Sequence, residues 1–367
     1  MNAPASTDRL IADIRHNCDI SDARDHGIYS MCTMVLKLRG LYKWEKGLQP
    51  WEEPESADLV DWIEAKENFW ATIAGQDYRQ LAVNGGQLDP LAVEEINAGL
   101  DSSLHYGAGF GRSMKVVFFL AEKLAGRIVE GCPVVILGSE QAREMASPFA
   151  MAQDGLIIIR REALRFFLWD QVQEVRSSCR NPLRHVLQSY GLLRDGALDQ
   201  QRFRESLDTI VDQEMDLFIH HEVGEILQSD LPSATLRRII DRFPGSVLEF
   251  VGRAVKDILA DTHPQGLLAW VIRERRPSSL SLYLSFFDGL REKLFPELPK
   301  AWQRFAIDGD WRHIEAARSA CRLRNREVGQ RIDEAVRMIG EADDEAILAF
   351  FSARILAPLG LAAAKTA

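Results

Sequence analysis

The sequence predicts an α+β protein, predominantly helical, with a small sheet over about residues 115–160. Three observations lead there. Long stretches on both sides repeat apolar residues at helical spacing. The middle instead carries short Val-, Ile- and Phe-rich runs divided by glycine and proline. The composition, 46% hydrophobic and 27% charged over 367 residues, is that of a globular chain able to bury a core without metal or disulfide staples.

Taken in order, residues 1 to about 50 read as helix: Ile11, Ile14 and Cys18 keep helical spacing, and residues 28–41 are apolar with few breakers. Gly47, Pro50 and Pro54 mark a loop. Ser56 precedes an amphipathic helix over residues 58–72, acidic early and carrying Leu59, Trp62, Ile63 and Phe69 near one face. Asn84-Gly85-Gly86 and Asp89-Pro90 punctuate the next connection, and residues 91–100 resume helix. Residues 116–120, 133–138 and 156–160 are short enough to favour strand over helix. Helical patterning returns over 162–175, 208–228, 246–261 and 279–294, with further helices near 311–339 and 343–356. No internal repeat of fixed period is visible. The patterning suggests an N-terminal helical region (1–112), a core (113–295) and a C-terminal helical region (296–367).

Charge and cysteine usage exclude several functions. Lys and Arg total 44 against 54 Asp and Glu, a net charge of −10, which argues against nucleic acid as the principal partner because phosphate binding needs a basic field. Cys18, Cys32, Cys132, Cys179 and Cys321 are odd in number and contain no CxxC pair. They form neither a disulfide framework nor a thiolate zinc site and fit a reducing compartment. The N-terminus lacks the apolar core of a secretory signal. The apolar stretch 346–364 is broken by Arg354 and Pro358, so it reads as a docking helix rather than a membrane span. A cytoplasmic protein without a membrane span is the expectation, its oligomeric state left open.

The most informative segment is 212–225, reading DQEMDLFIHHEVGE. His221 and Glu225 are four residues apart, hence about 40° apart around a helix axis and one turn apart along it. Two ligands so placed can grip one metal ion. Glu222, adjacent to the first, is positioned to act as general base on a bound water. An exposed acidic helix face is the competing explanation, since short patterns of this kind arise readily by chance.

This segment, together with Ser147-Pro148-Phe149-Ala150 and Gly155-Leu156-Ile157 upstream, resembles HExxH zinc metallopeptidases of the gluzincin kind, with HExxE in place of HExxH. Asp257-Ile258-Leu259-Ala260-Asp261 is similar to the ExxAD pattern of one gluzincin branch. The resemblance covers about residues 146–261. It implies a metallopeptidase-like helical core beside the small sheet, and a third metal ligand at Asp257. Asp261 would orient a ligand histidine, and strand 156–160 would form the edge of the active-site sheet, where an extended peptide or protein substrate adds as a strand. The implied cofactor is one divalent metal. Zinc comes first, with iron or manganese as alternatives because a His/Glu/Asp set is rich in carboxylate and suits harder ions. Asp is one methylene shorter than Glu, so its helix would have to approach closer.

His263, in the turn after Asp257, is a further candidate as ligand or oxyanion stabiliser. His220 points roughly 100° from His221 and reads as a packing or surface residue. Tyr283 reads as packing in a core helix, with oxyanion stabilisation as the alternative. Glu140 and Glu144 read as a solvated i,i+4 helix pair. Gly107-Ala108-Gly109-Phe110-Gly111-Arg112 looks like a phosphate loop but lacks the Walker lysine, so a flexible turn is expected. Three functions stay open: a metal-dependent peptidase- or amidase-like hydrolase, proteolytically active or not; a non-catalytic binding or scaffold protein on the same core; and a non-haem iron oxidase, which needs a second carboxylate helix, around Glu64 and Glu67.

Overall fold

The structure, a computed structural model, describes residues 4–111, 114–173, 180–287 and 289–361. It is α+β and predominantly helical, with one small curled sheet of five strands. Two compact units divide it: Met1–Ile128 with Pro133–Gln173, and Val129–Cys132 with Glu174–Ala367. The contacts therefore divide the chain near residue 173, whereas the patterning places boundaries near 112 and 295.

The first unit opens with α1 (Pro4–Asp25), α2 (Met31–Glu45) and α3 (Ser56–Ile73). The hairpin β1 (Leu81–Val83) and β2 (Gly86–Leu88) turns at Asn84-Gly85, and α4 (Val93–Gly99) follows. The sheet comprises β3 (Leu104–Phe110), β4 (Val116–Val129), β5 (Cys132–Arg143), β6 (Ala150–Gln153) and β7 (Leu156–Arg160), before α5 (Arg161–Gln173). Spatial order is β3-β4-β5-β7-β6. β3 runs antiparallel to β4, β5 parallel to β7, and β6 antiparallel to β7. Along β4, Phe118 and Leu120 pack with Ile14 and Tyr106, while Phe119 and Ala121 pack with Val135, Leu137 and Ile158. Both faces of the strand are buried there, which is why its sequence reads as a continuous apolar run instead of alternating.

Three expectations are corrected in this unit. Residues 107–110 form the end of β3, with Gly107 paired to Phe119, rather than a flexible turn. A Cβ on Gly107 would sit 2.0 Å from the Phe119 ring, so glycine is needed there for ring packing. Arg112 of the same motif lies outside the described residues, as does Cys179. Glu140 and Glu144 are not a solvated helix pair: Glu140 is on β5, Glu144 just after it, and both are buried against Arg160 at 2.5 and 3.3 Å. Finally, strand 156–160 is β7, which lies between β5 and β6 with both sides paired. It offers no free edge to an extended substrate, because the four residues of β6 already occupy that position.

The second unit contains α6 (Arg180–Ser189), a hairpin of β8 (Leu193–Arg194) and β9 (Ala197–Leu198), α7 (Gln200–Leu227), α8 (Ser233–Arg242), α9 (Val247–Asp261), α10 (Leu267–Arg273), α11 (Pro277–Ser285), α12 (Gly289–Leu294), α13 (Glu297–Asp308), α14 (Arg312–Arg337) and α15 (Asp344–Phe351). The patterned stretch 279–294 is thus two helices. α9 buries Leu248, Val251, Val255, Ile258 and Leu259, an i, i+3, i+7 stripe against its neighbours. α14 buries Ile314, Cys321, Val328 and Ile332, the stripe on which α13 and α15 pack. Ile347 and Phe351 of α15 are buried, and a π-helical turn follows at Ser352–Leu356. Among the described residues, no helix is long and apolar enough to cross a membrane.

Candidate metal centre

Two helices build the site. Asp199 caps α7, its side chain accepting from Arg202 N at 3.1 Å. At the start of α9, Ser246 Oγ accepts from Glu249 N, and the Glu249 carboxylate accepts from Gly245 N, so the helix start is fixed from both directions. The two helices then pack so closely that a Cβ on Gly224 would fall 2.2 Å from the Ala260 carbonyl oxygen. Such a close approach is what the short side chain of Asp257 would need to reach a metal shared with α7. Gly224 lies inside the HEVGE segment, between the two ligand candidates of α7.

Across this contact, one donor atom from each of His221, Glu225 and Asp257 lies within 4.8 Å of the others, all three side chains being half-buried. Ligands sharing one zinc ion stand roughly 3.4 Å apart, so closing the set would take a contraction of at most about 1.4 Å. His221 Nδ1–H donates to Asp261 Oδ1 at 2.7 Å, leaving Nε2 as the nitrogen able to take a metal. Asp261 is itself fully buried and held from its other oxygen, which accepts from the Tyr283 hydroxyl at 2.6 Å. Tyr283 is therefore hydrogen-bonded into the cluster as well as packed beside it. Burial pushes its hydroxyl pKa up, and the neighbouring Asp261 charge pushes it further.

Electrostatics bind the cluster tightly. Burial works against the imidazolium of His221, but the charge and hydrogen bond of Asp261 outweigh it, with Glu222 and Asp257 adding, so the pKa rises from 6.5 to about 9. Burial likewise works against ionised Asp261, and the facing His221 wins, holding the carboxyl below its ordinary range. Glu222 is 9% exposed. Two further cations enter that the sequence did not mark. Lys256 pairs with Glu225, and Arg291 of α12 donates to Asp257 Oδ2 at 3.0 Å. Burial lowers the Lys256 ammonium, opposed by Asp257 and Glu222. The site thus holds four carboxylates (Glu222, Glu225, Asp257, Asp261) against two fixed cations and one imidazole.

The remaining candidates stand apart. His263 is in the turn after α9, where its Nδ1 accepts from Gln265 N at 3.2 Å. Its charged neighbours are Arg322, Asp230 and Arg318, not the triad, so the structure does not bring it into the site. His220 stacks on Trp270, ring centroids 5.0 Å apart and 14° from parallel. Glu64 and Glu67 are exposed on α3 of the other unit and do not join the cluster.

Half-buried His221, Glu225 and Asp257, with the imidazole oriented by Asp261, form a group that could hold one metal ion. The chain belongs to the family of unknown function DUF6866, whose N-terminal domain matches residues 9–160 and whose C-terminal domain matches residues 165–354. The cluster falls wholly within the C-terminal match. Comparison with curated proteins and with solved structures yields no match.

Proposed function

We propose that the C-terminal unit carries a mononuclear metal centre of hydrolase type, with His221, Glu225 and Asp257 as ligands. The observation that supports this reading is the convergence of those three donors together with the His221–Asp261 hydrogen bond, which fixes one tautomer. A divalent ion held there would act as a Lewis acid on a water or a carbonyl. Glu222, next to His221 on α7, is the proton acceptor, and Asp261 and Tyr283 hold the imidazole in place. An amide or peptide is the substrate class. The gluzincin resemblance supplies that expectation, although presentation at the edge of the sheet is not part of the reading.

Lys256 and Arg291 favour a second reading. Each neutralises one ligand carboxylate, as a protein that uses this core only for binding or scaffolding would arrange. Metal content by inductively coupled plasma mass spectrometry separates the two, on protein purified without added metal or chelator. The hydrolase reading expects near-stoichiometric zinc, iron or manganese in wild type, lost in His221→Ala and Asp257→Ala. It also expects Glu222→Gln to keep the metal while losing amide hydrolysis. A metal-free wild type that ignores added zinc, iron and manganese overturns it and leaves the scaffold reading.

A further inference from the structure

β4 is twice as long as β3, the strand beside it. β3 pairs with residues 116–122 of β4, from Phe110 opposite Val116 to Leu104 opposite Glu122, and one further rung follows, from Lys123 N–H to the Ser103 carbonyl at 2.7 Å. Beyond that rung β4 runs on to Val129, with β5 on its other side. The rungs toward β3 fall on odd positions: the Lys115 carbonyl accepts from Gly111, and Lys123 donates to Ser103. By the same alternation the backbone groups of Ala125 and Arg127 point to the side on which β3 has ended. Residues 122–128 are all exposed, Leu124 and Ile128 at 55% and 76%. The outer side of β3, in contrast, is occupied. Tyr106 bonds the Asn97 side chain through both its backbone groups, at 2.9 and 2.8 Å, and the Ala108 carbonyl accepts from Gln153 of β6 at 2.7 Å. The far half of β4 is an open edge.

We propose that this edge binds an extended peptide, which adds as a strand beside residues 124–128 and carries acidic residues alternating with apolar ones. The alternation follows from the side chains of β4, which point in turn to its two faces. Leu124 and Ile128 share one face, with Gly126 between them, and Lys123 and Arg127 share the other. Cross-strand neighbours on the first face gain contact if apolar, and those on the second if acidic. A second copy of the chain fits badly. Pairing β4 with itself about Ala125 sets Lys123 opposite Arg127, and pairing about Arg127 sets that residue opposite itself. Pairing about Gly126 sets Glu122 opposite Glu130 and gathers Lys123 and Arg127 of both chains on one face. Like charges meet in each register, which keeps identical edges apart while admitting a strand of opposite sign.

The test is fluorescence anisotropy of a rhodamine-labelled hexapeptide of alternating valine and glutamate, titrated with the whole chain. Saturable binding is expected, and the matching valine–lysine peptide should bind about tenfold weaker or worse. Lys123→Glu, at an exposed position, should narrow or reverse that preference. Ala125→Pro, which removes one outward N–H from an exposed strand, should weaken binding of the valine–glutamate peptide about tenfold. Circular dichroism checks that both variants fold. Absence of saturable binding overturns the proposal. So does equal binding of the two peptides, or undiminished binding by folded Lys123→Glu and Ala125→Pro. A concentration-dependent dimer in sedimentation that Ala125→Pro abolishes overturns it as well, because a second copy then holds the edge.

Discussion

Protonation of His221 controls the metal-free cluster. Its folded pKa of about 9 lies above the ordinary 6.5, so the bonded imidazolium stabilises the folded chain fully below pH 6.5, and that contribution is lost as pH rises through 9. With the side chain 24% exposed, the effect is on the order of 2 kcal/mol after solvent screening. Urea unfolding of chelator-treated protein between pH 6 and 10 should show this fall for wild type and a flatter profile for His221→Gln. A second prediction concerns Asp261, which no metal would touch directly. Asp261→Asn keeps the shape of the side chain but removes the charge facing His221, and should weaken metal affinity by about 10- to 100-fold in a folded protein. Equilibrium dialysis with zinc reads it, and unchanged affinity would mean that the 2.7 Å hydrogen bond does not orient the ligand.

Between elements, the contact of α7 with α9 sets the distance across which the ligands must meet. Gly224→Ala places a methyl group into the Ala260 carbonyl, so the helices must part. A loss of about 2–3 kcal/mol in urea unfolding is expected, along with loss of bound metal. Unfolding and metal content measured on the same sample decide this. Legibility in the sequence followed the same division. His221 with Glu225, and Asp257 with Asp261, are i,i+4 pairs, so helical geometry alone puts each on one face. Lys256 and Arg291 answer charges on a different helix, and nothing in their local pattern marks that. The role of Gly224 depends on which helix faces it. The β7 misreading has the same origin: an apolar run announces a strand, whereas its neighbours are fixed by chain topology, here by the four weakly patterned residues of β6. The helix expected at Glu140 and Glu144 is absent because i,i+4 spacing indicates a helix face only where the chain is helical, and Glu140 lies on β5.

In the molecule as a whole, the residues of the candidate centre, from His221 to Arg291, all belong to the second compact unit and to the C-terminal family match. A chain of residues 174–367 that folds by circular dichroism should therefore bind metal in the same stoichiometry as the full protein. A folded but metal-free fragment, beside a metal-loaded full chain, would overturn the placement of the centre within this unit. The helix approach at Gly224 has a consequence for position 257 as well. With α7 and α9 seated on each other, their separation acts as a fixed ruler, and a metal held between them would need a side chain of the length of Asp257. In Asp257→Glu the carboxylate would overshoot by about 1.5 Å and meet Arg291 and His221 in the wrong place. If the proposed centre exists, that longer acid should abolish metal binding rather than improve it. A longer side chain at 257 would then be tolerated only with a matching change at position 224, where the helices touch.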